Sequence, residues 1–167
     1  ESSVPLVADH DNLIVTRSLS KSHALAGMRV GYAIAQPDLI EGLIRVKDSF
    51  NSYPLDAVAQ AAAAAAIQDT QWLENASQKV REVREVMSAG LKAIGFEVLP
   101  SHGNFIFTQH KSLPGKQIFD ALRARDILVR RWDKPRIENW LRISVGTMSQ
   151  AEQLLVVMRE IVSAETG

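Results

Sequence analysis

TRSLSKSHALAGMRVGY, residues 16–32, is the most informative segment of the chain. Ser18 and Ser20 precede Lys21 by three residues and one residue. Arg29 follows the lysine by eight residues. A lysine that is desolvated or lies beside another cation becomes a nucleophilic amine. Hydroxyl groups, backbone N–H groups and a guanidinium together suit a phosphate dianion. A reactive amine beside a phosphate pocket is what a Schiff-base site for pyridoxal phosphate requires, but the spacing alone favours a solvated lysine on a loop.

Apolar runs flank this segment on both sides. Residues 12–16 are apolar and β-branched, and residues 30–35 are apolar again, which predicts a strand, a loop with a short helix, and a second strand. A helix is expected to begin at Pro37 and to carry an apolar stripe on one side. The residues of that stripe are Leu39, Leu43 and Val46. Because two strands are too few for a stable sheet, we expect further sequence upstream.

A long helix is predicted in the middle of the chain. Apolar residues recur there at helical spacing, and Gly95 is placed to end the helix. The stripe consists of Leu73, Ala76, Val80, Val83, Met87 and Leu91. The charged residues between them are interpreted as the solvated face of that helix.

Beyond Gly95 the pattern changes to short strands and amphipathic helices, which predicts an α+β lobe. The predicted strands are residues 96–99, 105–108, 127–129 and 140–145. One helix is expected to begin at Pro114, and the last helix follows a capping box at residues 149–152. The inward residues of the first of these helices are Ile118, Phe119 and Leu122. The aromatic residues of the lobe are interpreted as core: Phe105, Phe107, Trp132 and Trp140.

The segment around Lys21 resembles the cofactor-lysine signature of fold-type I aminotransferases. The matching strings are Ser18-x-Ser20-Lys21 and AGMRVGY, residues 26–32. The resemblance implies that Lys21 is the catalytic residue and forms a Schiff base with pyridoxal 5'-phosphate. It also implies that Ser18, Ser20 and Arg29 bind the cofactor, with Ser18 and Arg29 on its phosphate.

Further strings resemble the histidinol-phosphate aminotransferase family. They are FNSYPLD, residues 50–56; SHGNF, residues 101–105; ILVRRW, residues 127–132; PRI, residues 135–137; and LRISVGT, residues 141–147. This resemblance implies that Arg142 grips the substrate carboxylate and that Arg130 meets the phosphate of histidinol phosphate. The alternatives are surface charges at strand ends, or Arg131 in place of Arg130, because neighbouring strand positions face opposite ways.

The resemblance implies an α/β fold, that of the type I pyridoxal-phosphate-dependent transferases. Residues 1–52 would be the C-terminal end of the large cofactor-binding domain. Residues 53–92 would be interdomain helices, and residues 93–167 would be most of the small α+β domain. In this family the groups that stack on the pyridine ring and pair with its nitrogen lie upstream of the lysine. The corresponding positions would fall before Glu1. We therefore expect the C-terminal half of an enzyme, inactive on its own.

The implied function is transfer of an amino group between an amino acid or histidinol phosphate and a 2-oxo acid, in histidine biosynthesis, by a homodimer. Other reactions of the same fold stay open: those of decarboxylases, lyases, acyl-transferring synthases and aromatic aminotransferases. A non-catalytic ligand-sensing domain and an inert structural piece are the remaining alternatives.

Composition limits the other function classes. Nineteen Lys and Arg balance nineteen Asp and Glu, so the basic excess typical of nucleic-acid binding is missing. Cysteine is absent, which excludes disulfides and thiolate sites, and the four histidines show no metal-ligand spacing. The longest apolar run, residues 61–67, is far shorter than the roughly 20 residues of a membrane-spanning helix, and no signal peptide is visible. We therefore expect a cytoplasmic protein with no metal, nucleic-acid or membrane partner.

Overall fold

The computed structural model describes residues 2–53 and 55–166. Its internal contacts divide the chain into two compact units, Glu1–Glu74 and Asn75–Gly167. No helix within these described ranges is long and apolar enough to cross a membrane. The three-part division at residues 52 and 92 stays a prediction.

The first unit contains a two-stranded antiparallel sheet. Strand β1 (Val15–Ser18) pairs with strand β2 (Gly31–Ile34), and Ser18 lies opposite Gly31. The chain between them forms the short helix α1 (Leu19–Ser22) and a 3-10 helix (Ala26–Met28). The predicted order of strand, short helix and strand is confirmed. Strand β1 lies further along the chain than residues 12–16, because pairing with β2 rather than the apolar run sets its bounds.

Helix α2 (Pro37–Phe50) begins at the predicted proline. Its apolar stripe, however, is not buried by the described residues: Leu39 is half-buried, whereas Leu43 and Val46 are exposed. The stripe is therefore a surface without a partner in the described part of the chain.

Helix α3 (Ala57–Gln68) anchors the lysine-bearing loop. Its small residues Ala59 and Ala63 lie one helical turn apart and bury Leu19 and Val30, which flank that loop. The N–H of Leu19 also donates to the carbonyl oxygen of Val30 at 3.2 Å. Both ends of the loop are therefore held together and against α3.

The second unit contains a four-stranded antiparallel sheet in the order β3-β4-β6-β5. Its elements, with the helix that leads into it, are α4 (Thr70–Ala93), β3 (Phe96–Val98), β4 (Phe105–His110), α5 (Gly115–Arg123), β5 (Arg130–Arg131), β6 (Leu141–Ser144) and α6 (Met148–Thr166). Buried side chains of β4 and β6 join those of the three helices in one core. The helix contributions include Val83, Met87, Leu91, Ile118, Leu122, Leu154 and Met158. The predicted α+β lobe is confirmed.

The predicted strand at residues 127–129 is wrong. Helix α5 ends at Arg123, Asp126 takes a left-handed backbone conformation (φ 59°), and the N–H of Ile127 returns to the carbonyl oxygen of Leu122. These residues finish the helix instead of pairing in the sheet. The strand begins at the next residue and consists of Arg130 and Arg131.

The predicted capping box is also displaced. The N–H of Gln150 donates to Thr147 Oγ1 at 3.3 Å, and the N–H of Thr147 donates to Gln150 Oε1 at 2.9 Å. This reciprocal pair is a capping box with Thr147 at its start, not Ser149. The last helix therefore begins two residues before the expected position.

His110 at the end of β4 is a buried polar residue of the second unit. Its Nδ1 accepts hydrogen bonds from the backbone N–H groups of Ser112 (3.3 Å) and Leu113 (3.1 Å). Because those groups can only donate, the ring proton lies on Nε2, which donates to the carbonyl oxygen of Ile94 at 3.2 Å. The ring also meets Phe96 edge-on at 4.9 Å between centroids. His110 thus joins the turn after β4 to the end of α4.

Candidate functional site

Lys21 lies on the short helix α1 and is exposed. Ser18 caps that helix: its Oγ accepts from the N–H of Ser20 at 3.2 Å. Ser22 Oγ donates to the carbonyl oxygen of Ser18 at 3.1 Å. These hydrogen bonds therefore shape the turn, and none of them uses the lysine amine. The desolvation that activates a lysine is not provided by the described residues.

Arg29 reaches the same end of the β1–β2 hairpin. Its backbone is left-handed (φ 56°), and its guanidinium donates to the carbonyl oxygen of Ala26 at 3.2 Å. Gly31 pairs with Ser18, and Arg29 precedes Gly31 by two residues. Arg29 and Ser18 therefore lie at the two ends of the loop that joins β1 to β2. A Cβ at Gly31 would lie only 2.9 Å from the carbonyl oxygen of Arg17. Glycine is thus what lets the two strands approach here.

The β1–β2 hairpin and the residues beside it carry positive charge without a nearby acidic residue in the sequence. Residues 12–37 contain Arg17, Lys21 and Arg29 but no aspartate or glutamate. None of the three forms an ion pair within the described part of the chain. With the hydroxyl of Ser18, this donor set has the chemistry that binds a phosphate.

Arg130 and Arg142 form a second group, in the second unit. They are direct partners across β5 and β6, and both are exposed. In β6 the neighbours of Arg142, Leu141 and Ile143, are buried, so Arg142 points away from the core. No carboxylate pairs with either arginine among the residues that the structure describes.

Aromatic rings surround these guanidiniums. Cζ of Arg142 lies 5.4 Å from the ring centroid of Phe105 and 5.5 Å from that of Trp132. Cζ of Arg130 lies 5.4 Å from the Trp132 centroid, and Phe107 meets the same indole edge-on at 6.2 Å. We call Phe105, Phe107, Arg130, Trp132 and Arg142 the arginine face.

The interpretation of the aromatic residues as core is therefore wrong. Phe105 is exposed, while Phe107, Trp132 and Trp140 are half-buried and stand outside the buried cluster. The alternation in β4 carried the signal, because Ile106 and Thr108 take the buried positions and leave the phenylalanines on the opposite side.

Arg131 has a different environment from Arg130. Its Nε donates to the carbonyl oxygen of Glu138 at 2.7 Å, and its guanidinium pairs with Asp133 at 3.3 Å. Only 14% of its side chain is exposed. These contacts bind the Arg131 side chain to the loop after β5. Arg130 is therefore the arginine of β5 whose exposed side chain is available to a ligand.

The structure thus groups Ser18, Ser20, Lys21 and Arg29 in the first unit, and Arg130 and Arg142 in the second. Among the described residues there is no cluster of three or more aspartate, glutamate or histidine side chains that could hold a metal ion.

Comparison with known proteins identifies relatives that match nearly the whole chain. The chain is 53% identical over 162 residues to histidinol-phosphate aminotransferase 1 of Bradyrhizobium diazoefficiens, a match that covers 97% of this chain and 46% of that protein. The chain therefore spans about half the length of the curated relatives it matches.

Solved structures show the same fold. Histidinol-phosphate aminotransferase from Sinorhizobium meliloti, in complex with pyridoxal-5'-phosphate, superposes with a TM-score of 0.80 at 24% identity, over 95% of this chain and 43% of that one. A decarboxylase from Sulfurospirillum multivorans gives 0.82 at 23% identity, over 97% and 47%. The expected type I transferase fold is confirmed.

The sequence profile of aminotransferase class I and II matches residues 1–158, nearly the whole chain. Because this match covers more than half of the sequence, the chain belongs to the aminotransferase class I and II family.

Proposed function

We propose that the chain is the C-terminal half of a pyridoxal-phosphate-dependent transaminase that acts on histidinol phosphate, or an amino acid, and a 2-oxo acid. The observation that carries this proposal is the setting of Lys21. Leu19 and Val30 close its loop, and neither Lys21 nor its neighbours Arg17 and Arg29 form an ion pair in the described part of the chain. Membership of the aminotransferase family supports the same reaction.

The donor set at this loop fits the cofactor. The Ser18 hydroxyl and the Arg29 guanidinium would hold the phosphate, with Ser20 beside them, and the Lys21 amine would hold the aldehyde carbon. When bound, pyridoxal phosphate supplies an aldehyde that condenses with amines and a ring that withdraws electrons. Lys21 Nζ would also serve as the base that accepts the proton of the substrate Cα.

The arginine face supports an anionic substrate. Arg142 would bind a carboxylate and Arg130 the phosphate of histidinol phosphate, because a guanidinium fork matches both anions with two parallel hydrogen bonds. Neither arginine is neutralised by a described carboxylate. The name of the 53% identical relative supports the same substrate and a role in histidine biosynthesis.

We also propose that the whole protein is a cytoplasmic homodimer. The exposed apolar stripe of α2, with Leu43, Val46 and Phe50, supports a partner surface on the first unit.

The function is tested on the whole protein that carries this chain. Histidinol phosphate should convert the bound cofactor from its aldehyde form to its amine form, and 2-oxoglutarate should convert it back, as followed by absorbance. Release of carbon dioxide from an amino acid without this interconversion would instead identify a decarboxylase.

The role of Lys21 has its own test. Borohydride reduction followed by peptide mapping should place the pyridoxyl label on Lys21, since its side chain is exposed and forms no ion pair with a described residue. Lys21→Ala should abolish labelling and transamination, whereas Lys47→Ala, at an exposed lysine beside Asp48, should leave both intact. A label on Lys47 or Lys111 would contradict the assignment.

A further inference from the structure

Trp132 is the residue that the two arginines share. The guanidinium carbons of Arg130 and Arg142 lie 5.4 and 5.5 Å from its ring centroid, within the range of a cation–π contact. The indole is half-buried, and Phe107 supports it edge-on. The indole of Trp132 therefore contacts both guanidiniums, and its packing against Phe107 holds the ring in place.

The contacts with Trp132 offset the repulsion between the two arginines. Arg130 and Arg142 are direct partners on adjacent strands, where like charges destabilise the pair. A carboxylate between them would relieve the repulsion but would occupy the N–H donors that an anionic ligand needs. The negative face of an indole attracts both guanidiniums and leaves those donors free.

We propose that Trp132 is a positioning residue that holds Arg130 and Arg142 as one binding site for the anionic groups of the substrate. This inference rests on the proposed function for the identity of the substrate, but the positioning itself requires only the contacts of the arginine face. The ring orients the guanidiniums before the ligand arrives, so part of the ordering cost is met in the free protein.

The test uses glutarate, a dicarboxylate without an amino group, because its binding requires neither cofactor nor turnover. Isothermal titration of the cofactor-free whole protein that carries this chain measures its dissociation constant. The titration heat that is lost in the Arg142→Ala variant is the part due to binding at the arginine face. We expect Trp132→Leu to weaken glutarate binding by about five- to thirtyfold, since the ligand must then order two guanidiniums that the ring no longer holds in place. Trp132→Phe, which keeps an aromatic face, should weaken it by less than about threefold.

Trp140 provides the matched control. Its ring stacks on Phe107 at 4.9 Å, but neither guanidinium lies over it in the part of the chain that the structure describes. Trp140→Leu should therefore leave the dissociation constant within about twofold of the wild type. If Trp132→Leu fails to fold by circular dichroism, a fluorinated indole at position 132 keeps the shape of tryptophan and weakens the negative face.

In the whole protein, Trp132→Leu should raise KM for histidinol phosphate by a similar factor and leave kcat within about twofold. Three results would overturn the inference: no glutarate binding by the wild type, unchanged binding in Trp132→Leu, or equal weakening in Trp132→Leu and Trp140→Leu. If the glutarate results hold but the whole protein transfers no amino group, the proposed function is wrong and the positioning role stands.

Discussion

At the scale of single residues, Arg130 and Arg142 differ in what they are proposed to bind. In the full-length protein, Arg130→Ala should raise KM for histidinol phosphate roughly ten- to a hundredfold and change KM for glutamate little, because about 1.5–3 kcal/mol of charge-assisted pairing with the phosphate is lost. Arg142→Ala should raise both values. Steady-state kinetics with each substrate measures the difference. Small, equal effects of Arg130→Ala on every substrate would remove its phosphate role and favour an aromatic or broad-range aminotransferase.

His110 is a residue whose role is structural. His110→Ala removes the acceptor of two backbone N–H groups at a position only 9% exposed, so we expect a loss of about 1–3 kcal/mol in the free energy of unfolding. His102→Ala, at an exposed histidine of the same unit, should change stability by less than about 0.5 kcal/mol. Urea unfolding of the chain compares the two variants. Equal stabilities would show that the buried contacts of His110 contribute little.

At the scale of elements, the β1–β2 hairpin depends on a close approach at Gly31. Gly31→Ala would bring Cβ to 2.9 Å from the carbonyl oxygen of Arg17, a backbone atom of the paired strand that cannot rotate away. We expect a loss of about 1–3 kcal/mol in the free energy of unfolding. Gly27→Ala in the same loop meets nothing within 4 Å and serves as the control, with a change below about 0.5 kcal/mol. Urea denaturation followed by circular dichroism distinguishes them, and similar midpoints would show that the strands can separate freely here.

At the scale of the whole molecule, we identify partners for only part of the proposed cofactor among the described residues. Lys21, Ser18 and Arg29 suit the aldehyde and the phosphate, whereas the groups for the pyridine ring are expected upstream by resemblance. Because several charge-assisted contacts of about 1.5–3 kcal/mol each would be missing, the 167-residue chain should bind pyridoxal phosphate at least about a hundredfold more weakly than the whole protein. An absorbance titration, with Lys21→Ala as the blank, measures this. Micromolar binding at Lys21 by the chain alone would contradict the expectation.

Local signals were sufficient wherever one short stretch specifies its own structure. Pro37 predicted the start of α2, the apolar spacing up to Leu91 predicted α4, and Pro114 predicted the start of α5. Helices are accessible in this way because their hydrogen bonds join residues four apart, so that spacing and capping lie within one window of sequence. The motif around Lys21 is equally local, and it predicted the family that the comparison confirmed.

Tertiary structure decided what depends on contacts between distant segments. The bounds of β1 and β5 follow from their partner strands, which residues 12–16 and 127–129 do not encode by themselves. The same holds for the arginine face. Arg130 and Arg142 become neighbours only through the register of β5 with β6, and the ring of Trp132 reaches both because the opposite side of the sheet takes the apolar core. Strand pairing joins residues far apart in the chain, so the sequence supplied the cations and the aromatic ring while the sheet brought them together.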